Sequence, residues 1–161
     1  MPDLDTPDRD PAHLYPTFRE RLAKAILEAN SECLKFGVTE FYIDEGYRSS
    51  ARQAYLYEQG RTRPGDIVTN SKVPDHHGFG MAADCYPKHK VNGAVEVWWD
   101  APDAVLQQWR HCVHVQGLFS GMDWTGNMAN DTGHVQFTDI ELDCYRLRAI
   151  RYLRTLGLTT P

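Results

Sequence analysis

The sequence predicts an α+β domain in which a small antiparallel sheet packs with helices. Four segments carry apolar residues three and four positions apart, which is typical of helices with one buried face. Shorter segments rich in β-branched and aromatic residues lie between them and are typical of strands. Because the helices and strands do not alternate in a regular βαβ order, hairpin-like pairing is favoured over a parallel sheet.

The composition is that of one globular domain. A chain of 161 residues with 42% hydrophobic and 24% charged residues is long enough to bury its own core. Residues 1–13 hold three prolines and four aspartates, so we expect a flexible tail there and a single domain over 14–161. A net charge of −5 gives no electrostatic indication of nucleic-acid binding, which is therefore not expected.

The chain carries no recognisable targeting or redox signal. No apolar run reaches the ~20 residues that cross a bilayer, and the start MPDLDTPDRDP is acidic where a secretory signal is basic. We therefore expect synthesis in the cytoplasm. The four cysteines form no C-x-x-C pair, which excludes a zinc ribbon and a thioredoxin-like motif.

The first helix is predicted from its cap and its apolar stripe. Thr17 and Glu20 have the spacing of a capping box, and Gly37 suits a helix end. The buried stripe is predicted to consist of Phe18, Leu22, Ala25, Ile26, Ala29, Cys33 and Phe36.

A strand over residues 38–46 follows, because β-forming residues alternate there, and it places Arg48 just beyond its end. A short second helix is predicted from Ser49 or Ser50 to Gln59, before the segment RTRPGD begins a long loop.

The second half of the chain is predicted to hold three more strands and two helices. Strands over 81–86 and 94–99 can pair across the turn-like segment PKHKVNG, and a helix spans 100–117. After a loop rich in glycine, asparagine and aspartate, a short strand over 134–137 precedes a helix capped by Asp139. The last helix carries Arg146, Arg148, Arg151 and Arg154, for which a solvated face is favoured over contact with anionic lipid or wall polymer.

The segment VPDHHGFGMAADCYP, residues 73–87, contains the residue types of a metal site. Imidazole nitrogen and carboxylate oxygen both bind zinc, so His77 and Asp84 are candidate ligands. The chain must turn between them if both are to reach one ion. Gly78 and Gly80 supply the backbone freedom for that turn.

A catalytic zinc takes three protein ligands, so a third must come from elsewhere. His134 is the best candidate, because it begins a predicted strand and follows Asp131 in the segment DTGH. A carboxylate beside such a metal can take a proton from water and later deliver it to a leaving amine. We therefore predict a zinc site with Asp131 as the base.

The other histidines have simpler interpretations. His111 and His114 lie three positions apart on a predicted helix and form a rival metal pair, but no third ligand accompanies them and a solvated face is favoured. His76 is interpreted as a neighbour of the site, since adjacent side chains diverge. His13 and His89 are interpreted as loop surface.

The motifs around His77 and His134 resemble those of a known family. His77, Gly80, Ala82 and Asp84 match H-x-x-G-x-A-x-D, and with the later DTGH they resemble the M15 family of zinc peptidases (LAS type). The family includes D-Ala-D-Ala carboxypeptidases and dipeptidases as well as L-alanyl-D-glutamate peptidases. The segment GYRSSARQAYLYEQGRTRPGDIVTN, residues 46–70, is similar to the phage endolysin branch, and the similarity runs from about residue 40 to 137.

The resemblance implies a LAS/hedgehog-like zinc peptidase fold and a role for each motif residue. It implies a Zn²⁺ ion held by His77, Asp84 and His134, with Asp131 as the catalytic carboxylate. Arg48 matches the family arginine that polarises the scissile carbonyl, which agrees with the stabilising effect of a fixed positive charge on an oxyanion.

Three further residues have less specific interpretations. Gln53 falls on a family-like position and is predicted to contact the peptide. Trp124, together with Asp123, is predicted to wall the cleft, where the tryptophan is either a lid on the core or a substrate contact. Asp75 stands where the family often has serine, two positions before the first histidine ligand. It is interpreted either as an acceptor for His77 or as a solvated residue.

These residues together predict a monomeric endolysin that hydrolyses the L-Ala–D-Glu bond of the peptidoglycan stem peptide. Its substrate is expected to be reached once the membrane is breached, without a separate cell-wall-binding domain. The alternatives are a D-Ala-D-Ala carboxypeptidase or dipeptidase, which shares the metal centre, and a non-catalytic zinc-binding module.

Overall fold

A computed structural model describes residues 3–72, 75–126 and 130–161 of the chain. Within these ranges, the helices are α1 (Pro16–Cys33), α2 (Ser50–Glu58), α3 (Asp103–Val115) and α4 (Asp139–Thr155). The strands there are β1 (Val38–Glu45), β2 (Ala82–Val91), β3 (Ala94–Val97), β4 (Phe119–Ser120) and β5 (His134–Gln136). The predicted α+β class with a small antiparallel sheet is confirmed.

The sheet has the order β1-β2-β5-β4, with β3 paired to the far half of β2, and each of these pairs is antiparallel. Helices α1 and α3 pack against each other, and α1 also packs on β1. Phe41 of β1 stacks on Trp109 of α3 with ring centroids 4.7 Å apart. Ala83 and Cys85 point into this core, so their neighbour Asp84 points to the opposite face of β2.

Helix α1 buries most of the predicted stripe but begins and ends differently from the prediction. It ends at Cys33, so Phe36 lies beyond it and is exposed, while Ile26 is only partly buried. Phe18, Leu22, Ala25, Ala29 and Cys33 are all buried. The helix starts at Pro16 without a side-chain cap, so the predicted cap at Thr17 is wrong. Proline at the first helical position has no backbone N–H and its fixed φ suits the helix, so one fewer donor at this end needs an acceptor.

Strand β2 is longer than predicted, because the segment PKHKVNG is mostly strand. The predicted turn over 87–93 is confined to Asn92 and Gly93, whose φ angles are 49° and 86°. An Asn-Gly pair suits the tight hairpin turns that need positive φ at both central residues. The predicted pairing of the two strands is present as the β2–β3 hairpin.

Helix α4 is capped one residue earlier than predicted. The Thr138 hydroxyl accepts from the Glu141 amide and the Glu141 carboxylate accepts from the Thr138 amide, which is a complete capping box. Asp139 is therefore the first residue inside the helix. The four arginines of the helix are exposed, and their contact with lipid or wall polymer stays a prediction.

Residues 3–13, predicted as a flexible tail, make several contacts with the domain. The Arg9 guanidinium pairs with the Asp44 carboxylate at 2.8 Å, and the Asp8 carbonyl accepts from the Gly46 amide at 2.7 Å. Further along, Leu14 is completely buried. The flexibility of the segment stays a prediction. Across the described ranges, no helix is long and apolar enough to cross a membrane.

Candidate active site

Three predicted metal ligands meet where β2 and β5 pair. His77 lies in a single 3₁₀ turn, His77–Phe79, just before β2. Asp84 of β2 is directly opposite His134, the first residue of β5. The potential ligand atoms of the three residues all lie within 4.8 Å of one another. The antiparallel pairing of β2 and β5 thus brings together Asp84 and His134, which are 50 positions apart in the chain.

Gly80 allows the turn that connects His77 to β2. Its φ is +64°, a left-handed conformation that glycine adopts without strain. A Cβ atom at this position would lie 2.7 Å from the His13 carbonyl oxygen, so no side chain fits. The Gly80 carbonyl also accepts from the Tyr15 amide at 2.8 Å. The turn is therefore fixed by the segment that precedes α1.

The hydrogen bonds of the two histidines determine which ring nitrogens are free. His77 Nδ1 lies 2.7 Å from the Gly46 carbonyl oxygen, which can only accept, so Nδ1 carries the proton. His134 Nε2 lies 2.8 Å from Gln136 Oε1 and donates to it in the same way. His77 Nε2 and His134 Nδ1, the nitrogens that these bonds leave free, lie 3.5 and 3.1 Å from Asp84 Oδ1, where each can share a proton or a metal ion with the carboxylate.

The charge on Asp84 completes a donor set that fits zinc. Burial alone would raise the pKa of Asp84, but the charges and hydrogen bonds of His77 and His134 outweigh it and hold the pKa well below its ordinary value. An ionised carboxylate oxygen and two imidazole nitrogens are the ligands of a three-residue zinc site that keeps an open position. Gly46 and Gln136 supply the outer hydrogen bonds that orient such histidines.

Arg48 lies beside the metal ligands and is held on several sides. It is 7% exposed, and its Nη2 lies 2.6 Å from Glu45 Oε2 and 3.2 Å from Asp84 Oδ2. Its Nη1 donates to Gln53 Oε1 at 2.9 Å and lies 4.0 Å from Asp75 Oδ2. The guanidinium also lines the cavity at the site. Its orientation is thus fixed before any substrate binds.

Glu45 anchors this arrangement, and the sequence analysis did not identify it. Its carboxylate is 5% exposed and pairs with both Arg48 and Arg52. Burial would raise the pKa of Glu45, but the charge and hydrogen bond of Arg48 and the hydrogen bond of Arg52 hold it below its ordinary value. Nothing in the sequence marks this position, since a glutamate at a strand end is usually exposed.

Replacement of Glu45 by alanine is expected to lower the free energy of unfolding by about 3–5 kcal/mol, because it leaves two buried guanidinium groups without their shared carboxylate. Urea denaturation at neutral pH measures the change. The matched control is Glu40→Ala, whose carboxylate pairs with Lys88 at the surface at 2.8 Å and should cost less than about 1 kcal/mol. Equal losses in both variants would contradict the role of Glu45.

The pH dependence of this stabilisation follows from the lowered pKa of Glu45. The contribution is fully present above the ordinary pKa of 4.5 and is lost as the pH falls through the lower folded value. The Glu45→Ala variant should therefore lose less stability than the natural protein on acidification below 4.5.

Gln53 does not occupy the position predicted for it. It is completely buried, and its amide nitrogen donates to the Ser71 carbonyl at 2.6 Å while its oxygen accepts from Arg48. The predicted contact with the peptide is therefore wrong, because the side chain has no exposed surface. Gln53 instead connects Arg48 to the loop that contains Thr69, Asn70 and Ser71, three residues that line the cavity.

Asp131 and Trp124 both line the same cavity, whose volume is about 490 Å³. The Trp124 ring lies 4.7 Å from the His134 ring and forms a wall beside this ligand. Its contact with substrate stays a prediction. Burial, followed by the charge of Asp84, raises the pKa of Asp131 above its ordinary value. Gly121 gives Asp131 room, because a Cβ there would collide with the Asp131 carbonyl.

The structure places the remaining candidates outside the ligand group. Asp123 binds Arg110 Nε at 2.7 Å and His114 Nε2 at 2.6 Å instead of facing the cleft as predicted. Over the ranges described, no group of three ligands forms around His111 and His114. His76 lines the cavity, and its Nε2 lies 3.4 Å from Asp139 Oδ1, so it is a neighbour of the site as interpreted.

The chain is similar in sequence to a known peptidoglycan peptidase. The chain is 31% identical over 110 residues to the peptidoglycan L-alanyl-D-glutamate endopeptidase CwlK of Bacillus subtilis (strain 168). The alignment covers 63% of this chain and 64% of CwlK, which is just under two thirds of that relative. No protein-family model matches the chain. The predicted resemblance is thus confirmed at the level of sequence.

The fold is also similar to a solved structure. The Serratia marcescens L-Ala D-Glu endopeptidase ChiX superposes with a TM-score of 0.53 at 19% identity, over 91% of this chain and 92% of that chain. The match extends over nearly the whole of both chains. The predicted fold is therefore confirmed.

Proposed function

We propose that this protein is a zinc-dependent peptidoglycan peptidase of the M15 family that hydrolyses the L-Ala–D-Glu bond of the stem peptide. One observation carries the proposal: His77, Asp84 and His134 meet at a cavity that Asp131 and Arg48 also line. The two similar proteins are L-alanyl-D-glutamate endopeptidases by name, which supports the choice of bond.

In this proposal His77 Nε2, His134 Nδ1 and Asp84 hold the zinc ion. These are the atoms that the outer hydrogen bonds leave free, as the contacts with Gly46 and Gln136 require. A zinc ion bound there supplies Lewis acidity for water and for a peptide carbonyl. The protein contributes the orientation of the ligands and the two groups that handle protons and charge.

Asp131 is the general base of the proposed reaction. Its carboxylate takes a proton from the attacking water and later passes that proton to the departing amine nitrogen. The raised pKa of Asp131 supports this role, since a base with a pKa nearer to neutrality also returns its proton more readily.

Arg48 stabilises the negative charge that develops on the scissile carbonyl oxygen. A guanidinium that is already oriented needs little reorganisation when that charge appears, so it favours the transition state over the ground state. Glu45 and Gln53 provide the orientation through their bonds to Nη2 and Nη1. Trp124 forms a wall against which the peptide can pack.

Two soluble peptides test the proposed bond. One contains an L-Ala–D-Glu bond and an amidated carboxyl end, and the other ends in D-Ala-D-Ala and lacks the L-Ala–D-Glu bond. The zinc-loaded protein should cleave the first at least about 100-fold faster than the second. Preferential release of D-Ala from the second would favour the carboxypeptidase alternative. Stoichiometric zinc binding without cleavage of either would favour the non-catalytic alternative.

The proposed biological role is that of a phage endolysin that reaches the wall from the cytoplasm after the membrane is breached. It is supported by the similarity of residues 46–70 to the endolysin branch. A culture that expresses the protein should keep its turbidity until chloroform permeabilises the membrane, and should then clear. Lysis without permeabilisation would contradict this role. The monomeric state stays a prediction that light scattering tests.

A further inference from the structure

Aromatic side chains extend the face of the sheet that carries the metal ligands. Tyr86 follows Asp84 by two positions on β2 and therefore shares its face. Tyr42 of β1 is directly opposite Tyr86 and lies on the same face. The Trp99 ring contacts the Tyr86 ring edge to face at a centroid distance of 4.8 Å, and 66% of Trp99 is exposed.

This aromatic surface begins beside the strands that carry the metal ligands. A Cβ atom on Gly133 would lie 2.5 Å from Tyr86 Cζ and 2.9 Å from its hydroxyl oxygen, so the Tyr86 ring lies against the backbone next to His134. Two strand residues span about 7 Å, which places Tyr86 at that distance from Asp84 and Trp99 just beyond it. The Tyr86 ring thus lies between the backbone of Gly133 and the Trp99 ring.

Polar groups surround the aromatic rings. The Tyr42 hydroxyl donates to Asp44 Oδ1 at 3.0 Å, and Lys88 Nζ lies 4.4 Å from the centre of the Tyr42 ring while it binds Glu40. Trp99 is the exposed ring of this surface. An exposed aromatic ring suits a sugar ring, which has an apolar C–H face that can stack on it and hydroxyl groups at its edge.

We propose that Tyr86 and Trp99 form a subsite for the amino sugar that carries the stem peptide, an inference that rests on the proposed function. In such a substrate the lactyl group of the sugar is bonded to the L-Ala amino group. The sugar is therefore separated from the scissile carbonyl by one residue and the lactyl unit, roughly 7 Å at about 3.5 Å each. This separation is similar to that between Asp84 and the aromatic surface.

A pair of substrates with the same peptide tests the subsite. One carries N-acetylmuramic acid on L-Ala, and the other carries an acetyl group there instead. Trp99→Ala should lower kcat/KM about tenfold on the sugar-bearing substrate, mainly through KM, and less than twofold on the acetylated one. Leu147→Ala, on α4 with 68% of its residue exposed, is the matched control and should change neither value.

The outcomes separate this inference from the proposed function. An equal loss on both substrates, or no loss on either, would overturn the sugar subsite.

If the natural protein cleaves neither substrate, the proposed function fails, and binding of a peptide-free N-acetylglucosamine–N-acetylmuramic acid disaccharide decides the inference. The disaccharide should shift the Trp99 indole N–H resonance, which Trp99→Phe identifies by its loss. An unchanged resonance at saturating sugar would overturn the inference.

Discussion

Replacing Asp131 with asparagine is expected to lower kcat/KM by about 10³-fold, because the amide cannot take a proton from the attacking water. The substitution keeps the size of the side chain, so the zinc content and the melting temperature should stay close to those of the natural protein. Hydrolysis of the L-Ala–D-Glu peptide, measured with metal analysis of the same samples, checks both expectations.

The matched control for this prediction is Asp139→Asn. Asp139 lines the same cavity, but its side chain is 91% exposed and it has no role in the proposed reaction. The control should retain kcat/KM within about threefold. Similar activity in the Asp131 and Asp139 variants would show that Asp131 is not the general base.

Removal of the metal is expected to abolish activity, and one equivalent of zinc should restore it. The restored protein should contain about one zinc per chain, as a three-ligand site requires. Zinc at a thousandfold excess over its Kd should also raise the free energy of unfolding by about 4 kcal/mol, because the metal binds only the folded chain. Chelation followed by titration with zinc measures both effects in one series.

Two histidine variants identify the site that holds the metal. His77→Ala should lose the zinc and the stabilisation that zinc provides. His114→Ala should keep both, since His114 is paired with Asp123 on a different part of the surface. If the His114 variant loses its zinc while the His77 variant keeps it, the metal site is at His111 and His114 instead.

The parts of the site that could be predicted are those determined by local sequence. His77, Gly80 and Asp84 lie in one short segment, and the left-handed turn at Gly80 explains their spacing. The contribution of His134 depends on the register between β2 and β5, which no local pattern determines. The prediction of His134 as a ligand rests on the DTGH motif and on the resemblance. The buried stripe of α1 could be predicted for the same local reason, since helical spacing alone determines which residues share a face.

The parts that could not be predicted depend on contacts between distant segments. Glu45 and Gln53 are polar residues whose burial follows only from their bonds to Arg48, and no spacing rule reports such bonds. The cap of α4 is a different case, because its signal is local: Thr138 and Glu141 have the spacing of a capping box, and the prediction of Asp139 rests only on its being a good cap residue as well.

The most direct test of the account is mass spectrometry of the muropeptides that the zinc-loaded protein releases from purified peptidoglycan. The account predicts glycan-linked fragments that end in L-Ala and peptides with a new amino-terminal D-Glu, and neither product should form with the Asp131→Asn variant. Release of free D-Ala from stem peptides whose L-Ala–D-Glu bond stays intact would contradict it.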